Sequence, residues 1–157
     1  SWVQVADNVV STSSGKTQNL MVKKDGTVWA QGSGNFGAFG AGLTTISSHA
    51  WLQVADNAAA VSAGEDYSLL LKKDGTVWST GYNYSGQLGT GSTANVYSWT
   101  KVADSAAYIA AGSASSFIVK KDGSLWGAGE FDKGQFGDTG IHINPGYSTY
   151  FVPIKMP

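Results

Sequence analysis

Lys-Lys-Asp-Gly occurs three times in this chain, ending at Gly26, Gly75 and Gly123, with spacings of 49 and 48 residues. The tryptophans keep the same spacing in two series: Trp2, Trp51 and Trp99, then Trp29, Trp78 and Trp126. All six tryptophans of the chain belong to these series. They are framework residues, not catalytic oddities. A period of this length marks a repeated supersecondary unit that cannot bury its apolar faces alone, so the units must stack. The periods predict one repeat domain over residues 1–157, divided near 1–50, 51–98 and 99–157.

Within the second unit, residues 66–71 read as a strand, Lys73-Asp74-Gly75-Thr76 as a tight turn, and 76–80 as the returning strand. Asp-Gly suits a primed hairpin turn, whose central positions need positive φ. The hairpin recurs at 18–22 with 27–31 and at 115–119 with 124–128. Small-residue strands precede it, Val61-Ser62-Ala63-Gly64 and Ile109-Ala110-Ala111-Gly112, with the more polar Thr12-Ser13-Ser14-Gly15 in the first unit. Edge strands are expected at Trp2-Val3-Gln4-Val5, Trp51-Leu52-Gln53-Val54 and Trp99-Thr100-Lys101-Val102. A fourth such segment, Phe151-Val152-Pro153-Ile154, closes the chain. The unit is then a four-stranded antiparallel sheet. The fold is all-β: three blades of a β-propeller or a related array.

Composition narrows the function classes. Ten basic against eleven acidic residues give a net charge of −1, which offers no electrostatic footprint for nucleic acid. No apolar run reaches the roughly 20 residues of a spanning helix, so no membrane insertion is expected. No basic-then-apolar leader opens the sequence, which suits a cytosolic chain or a mature or excised segment. Cysteine is absent, which excludes disulfides, thiol catalysis and zinc–thiolate sites. Low charge (13%) with abundant glycine and aromatics points to an extracellular, cell-surface or virion-surface protein, while a cytoplasmic one is also compatible.

The second unit, from Ala63-Gly64-Glu65-Asp66-Tyr67 through Lys73-Asp74-Gly75-Thr76-Val77-Trp78 to Gly86-Gln87-Leu88-Gly89-Thr90-Gly91, resembles the repeat of the regulator-of-chromosome-condensation family. The first unit keeps Gly32, Gly37, Phe39, Gly40 and Gly42, and the third Gly129, Gly134, Gln135, Phe136 and Gly137. The resemblance implies a β-propeller, in that family usually of seven blades. Gln18, Tyr67 and Ser115 stand where the family often has histidine, and only Asn83 keeps its Gly-x-Asn asparagine. Nothing matches the family's guanine-nucleotide-exchange surface or its light-sensing tryptophan cluster, so neither activity is carried over.

Propellers close with roughly four to eight blades, and three leave apolar faces open. Three arrangements are expected: a segment of a longer propeller, a six-bladed ring of two copies, or head-to-tail addition. The expected partner is protein, either a second copy or neighbouring blades.

No catalytic constellation is present, and no enzyme is expected. Asp25, Asp74 and Asp122 are repeated turn residues, as are Asp7, Asp56 and Asp104 before the inner strands. His49 and His142 occupy unrelated positions without metal-ligand spacing, so no metal or other cofactor is expected. The glycine-rich loops recur in every unit and lack the Lys-Ser/Thr pair and helix of a phosphate cradle. Function therefore falls to the parts that do not repeat. Candidate binding residues are Phe36, Tyr82, Tyr84, Tyr97, Phe131 and Tyr147, which could anchor a protein or stack on a sugar. The expectation is a non-catalytic interaction or structural-assembly module. The alternatives are a carbohydrate-binding module and a protein inhibitor of an enzyme.

Overall fold

In the computed structural model, which describes residues 1–137 and 146–155, twelve strands form three four-stranded antiparallel sheets. Blade 1 comprises β1 (Val9–Ser14), β2 (Gln18–Lys23), β3 (Val28–Ser33) and β4 (Ser47–Ala55). Blade 2 comprises β5 (Ala58–Ala63), β6 (Tyr67–Lys72), β7 (Val77–Gly81) and β8 (Val96–Ala103). Blade 3 comprises β9 (Ala106–Ala111), β10 (Ser115–Lys120), β11 (Leu125–Glu130) and β12 (Tyr147–Ile154). Strands lie side by side in chain order within each blade.

The blades are offset from the sequence period. Leu52 and Gln53, which open the second period, pair with Ala30 and Trp29 of blade 1. Trp99-Thr100-Lys101-Val102 likewise completes blade 2, and Phe151-Val152-Pro153-Ile154 completes blade 3. Each edge segment therefore closes the preceding blade. Trp2-Val3-Gln4-Val5, expected as a strand, forms none, and Trp2, Val3 and Val5 are exposed. The reason is topological: β4, β8 and β12 already occupy the outer edges of all three blades.

The hairpins fall where expected, but the turns differ from the primed type. Gly26 N–H donates to the Lys23 carbonyl at 2.8 Å, and Lys23 N–H to the Thr27 carbonyl at 3.0 Å. Only the glycine takes positive φ (+88°, +87° and +86° at Gly26, Gly75 and Gly123). This is a three-residue loop with a glycine bulge, so the preceding aspartate keeps negative φ and serves as an acceptor. Asp25 Oδ1 accepts from Thr27 N–H (2.9 Å) and Thr27 O–H (2.7 Å), while Trp29 Nε1–H donates to Thr27 Oγ1 (2.8 Å). The relay recurs as Asp74–Thr76–Trp78 and Asp122–Ser124–Trp126. A lysine ammonium also covers each indole, 4.9, 4.3 and 3.8 Å from Trp29, Trp78 and Trp126.

The core sits between blades. Leu20, Val22, Val28 and Ala30 of blade 1 cluster with Ala58, Val61, Ala63 and Leu70 of blade 2. Leu69, Leu71 and Val77 of blade 2 cluster with Ala106, Ile109 and Ile118 of blade 3. β6 is sandwiched, so Tyr67 to Leu71 are buried on both faces, and the one small polar residue among them, Ser68, donates to the Ala38 carbonyl at 2.8 Å.

The Thr27, Thr76 and Ser124 hydroxyls, followed by their own N–H groups, hold the three turn carboxyls below the ordinary aspartate range. A depressed folded value contributes stability above the unfolded pKa and loses it as pH falls through the folded one. Melting temperature should therefore fall on acidification below about pH 4. The triple variant Asp25→Asn, Asp74→Asn, Asp122→Asn should melt lower at pH 7 and show a flatter acid limb in a calorimetric pH series. An unchanged limb would remove these carboxylates from the account.

Candidate functional site

Two features at the blade margins have no counterpart elsewhere in the repeat. The first is the open side of blade 3. Inside the chain the blade junction forms twice with the same contacts. Ala58 N–H donates to the Gly26 carbonyl (3.0 Å) and Ala106 N–H to the Gly75 carbonyl (2.9 Å). Gln18 Nε2 reaches the Gly64 and Tyr67 carbonyls at 3.2 Å, and Tyr67 O–H donates to the Ser115 carbonyl at 2.8 Å. Burial pushes the Tyr67 hydroxyl pKa upward, against the lowering effect of its hydrogen bonds, so the group stays a neutral donor. Each glycine loop is also capped by an aromatic of the next blade's outer strand. A Cβ on Gly40 would meet Trp99 at 2.4 Å, and one on Gly89 would meet Phe151 at 2.4 Å.

At blade 3, among the described residues, a Cβ on Gly123, Gly134 or Gly137 would meet nothing within 4 Å. Phe117, Val119 and Leu125 are half-exposed, whereas Leu69, Leu71 and Val77 at the same positions of blade 2 are buried. The opposite end is different in kind. Thr12, Ser14 and Asn19 face outward from blade 1, where blade 2 has Val61, Ala63 and Ser68 buried. The free side of blade 1 mixes these polar groups with Val9, Met21 and Trp51, whereas that of blade 3 presents Phe117, Val119 and Leu125.

The second feature is a cleft of about 470 Å³ at the strand ends, lined by Phe36, Tyr82 and Tyr84 together with Glu65, Asp66 and Glu130. Phe36 and Tyr82 rings lie 5.1 Å apart, and Tyr82 and Tyr84 rings 6.4 Å apart at an interplanar angle of 17°. Glu65 accepts from the Lys16 ammonium and from Ser113 O–H (2.8 Å), and these contacts hold its carboxyl below the ordinary range. Glu130 accepts from Ser85 O–H at 3.1 Å. Gln87 is buried, and its Oε1 accepts from Ser85 N–H at 3.0 Å, fixing the loop that carries Tyr84. Asn83 anchors the same loop from within, donating to Thr90 Oγ1 and to the Ser92 and Ala94 carbonyls.

Three of the six aromatics singled out from the sequence thus converge, and three do not. Phe131 packs on Phe136 with ring centroids 5.4 Å apart. Tyr97 lies over Gly37, and its carbonyl accepts from Gly42 N–H. Tyr147 opens β12 opposite Glu130. The carboxylates escaped sequence reasoning as site residues because each sits in a repeat element. Their signal was departure from the repeat: Glu65 and Asp66 stand where Lys16 and Thr17, and Ser113 and Ala114, occupy the other units. Among the described residues no cluster of His, Cys, Asp and Glu could hold a metal ion. His49 is exposed on β4, and His142 lies outside the described residues.

These stacked four-stranded sheets, with their inter-blade core, define a β-propeller repeat protein. The regulator of chromosome condensation (RCC1) repeat matches residues 58–87 in one form and 74–119 in another. Human WBSCR16 has the same fold over 94% of this chain and 39% of its own, at TM-score 0.77 and 22% identity. Yeast RCC1 (Prp20), in a structure with Kap60 bound, matches 96% of this chain and 38% of its own, at TM-score 0.76 and 22% identity. Prp20p from Saccharomyces cerevisiae, in a structure reported with its binding to Gsp1p and histones, matches at TM-score 0.73 and 22% identity, over 96% and 40%. The chain spans about two fifths of the length of these structures. No curated protein matches the sequence. Residues 58–119 of the chain thus carry the regulator of chromosome condensation repeat, on a β-propeller fold.

Gly89 and Gly137 isolate the contribution of blade packing, because both have positive φ (+72° and +63°) but only Gly89 lies under an aromatic. Gly137→Ala should cost about 1 kcal/mol, the left-handed backbone penalty alone. Gly89→Ala should cost about 1–3 kcal/mol more from overpacking against Phe151, measured by urea unfolding. Equal costs would mean that Phe151 is not seated.

Proposed function

We propose that this chain is a non-catalytic protein-interaction module that assembles blade upon blade, with the open side of blade 3 as its docking surface. The observation that carries this reading is the asymmetry of the stack. Phe117, Val119 and Leu125 stay half-exposed where their equivalents are buried, and among the described residues a Cβ on Gly123 or Gly137 would meet nothing within 4 Å. An apolar face of this kind is stabilised by cover, at about 25 cal/mol per Å² of apolar surface removed from water. In a longer chain that cover is a further blade. In the isolated chain it is the same face of a second copy, related by a two-fold axis. On the free side of blade 1, Thr12, Ser14 and Asn19 lie beside Val9, Met21 and Trp51, and the polar groups weaken the match to a further blade and disfavour continued head-to-tail growth.

Protein partners recorded for the fold neighbours, Kap60 for yeast RCC1 and Gsp1p and histones for Prp20p, support an interaction role in general and name no partner for this chain. Low charge with abundant glycine and aromatic residues supports a surface location, which protease shaving of intact cells or virions would test.

Light scattering coupled to size exclusion, over a range of concentrations, tests the assembly. We expect a species of two chains, twice 16.3 kDa, that Phe117→Asp converts to a monomer with unchanged circular dichroism. A monomer at every concentration would overturn docking through this face. An open series of larger species would show that blade 1 is not a terminus.

A further inference from the structure

We propose that the cleft between Phe36, Tyr82 and Tyr84 on one side and Asp66, Glu65 and Glu130 on the other binds an arginine side chain presented by a segment of a protein partner. This site lies at the strand ends, away from the sheet face used for docking, and does not depend on assembly.

Charge supplies the first reason. The chain as a whole is nearly neutral, at −1, yet three half-buried carboxylates line this one cleft. Only Glu65 has an ion-pair partner among the described residues, Lys16. The Lys133 ammonium pairs with Asp132, so among the described residues Asp66 and Glu130 make no direct ion pair and feel Lys16 and Lys133 only at longer range. Carboxylates partly withdrawn from water in a concave site focus negative potential and favour an incoming cation. They do not converge as a metal-binding group, so the cation they suit is an extended one.

The aromatic wall supplies the second. Tyr84 is 73% exposed and Phe36 is 41% exposed, unusual for large rings held at fixed positions. Phe36 also adopts φ of +54°, a left-handed conformation that is strained for an aromatic residue. Ser85 and Lys133, its equivalents in the other blades, do not. That backbone turn accompanies the placing of the Phe36 ring 5.1 Å from Tyr82, so the local strain coincides with the aromatic wall. Guanidinium stacks on aromatic faces and donates in a planar fork to carboxylates, which matches ring faces and acceptors in one cleft. A sugar is less well matched, because it carries no charge to complement Asp66 and Glu130, and the donors left to it are Tyr82, Tyr84 and the Gln87 amide. The Ser85 and Ser113 hydroxyls are already engaged by Glu130 and Glu65.

The test is fluorescence anisotropy with a labelled peptide of alternating arginine and glycine, against the same peptide with citrulline for arginine. The arginine peptide should bind, weaken as salt rises, and lose about tenfold in affinity with Tyr84→Ala or with Asp66→Asn. Both side chains are solvent-accessible, and a thermal melt of each variant confirms that it folds. Equal binding of the citrulline peptide, or no effect of either variant, would overturn the proposal. So would tyrosine-dependent binding of neutral oligosaccharides in place of the peptide, which is the carbohydrate outcome. The Phe117→Asp variant should bind the peptide like the parent, which separates this site from assembly.

Discussion

Packing of one sheet on the next is the interaction on which everything else in this molecule rests. A single four-stranded blade has two faces and too few residues to bury either by itself. Blade 2 solves this by having neighbours on both sides, and its β6 carries five consecutive buried residues. Blades 1 and 3 each have one neighbour, and their free sides answer the same problem in different ways. Blade 1 places Thr12, Ser14 and Asn19 among its apolar groups there, while blade 3 keeps Phe117, Val119 and Leu125. The difference between the two ends is therefore set by a few side chains on an otherwise shared framework.

The same junction explains the distribution of glycine and aromatic residues. Gly40 and Gly89 exist beneath Trp99 and Phe151 because a Cβ would fall within 2.4 Å of the ring. Trp99 is half-buried, and its indole N–H lies buried over Gly40 without a hydrogen-bond partner among the described residues, a cost offset by the close packing around it. The tryptophans of the other series are instead fixed within their own blade, by a hydroxyl that is itself held by the turn aspartate. The second series is thus fixed locally, while of the first series only Trp99 packs between blades; Trp2 is exposed and Trp51 lines the free side of blade 1.

Departure from the repeat is where the chemistry collects. Framework positions recur because each blade needs them; the cleft is built from positions that do not recur. Tyr82 stands where the other units have Ser33 and Glu130, and Glu65 where they have Lys16 and Ser113. Because each unit supplies a different group at the same place, stacking three units brings unlike side chains together. Lys16, Glu65 and Ser113 show this directly: equivalent positions in the three periods are joined in one hydrogen-bonded chain. A repeat architecture can therefore generate a heterogeneous site without any new backbone.

The sequence by itself determined the number of units, the three hairpins, the all-β class and the likeness to a known propeller repeat, because these follow from local periodicity and from the needs of a tight turn. It also exposed Phe36, Tyr82 and Tyr84 as non-repeating aromatics. Tertiary structure alone decided which blade each edge segment completes, since strand pairing is a long-range choice and Trp51 can close the blade before it or the blade after it with the same residues. It decided the hairpin turn type, because Asp-Gly serves both a primed turn and a glycine-bulge loop. It left Trp2-Val3-Gln4-Val5 unpaired although the segment reads like its three counterparts, for want of a vacant edge. It brought Asp66 and Glu130, 64 positions apart in the chain, to one cleft. Their proximity depends on the stacking of one sheet against the next, which no local pattern encodes.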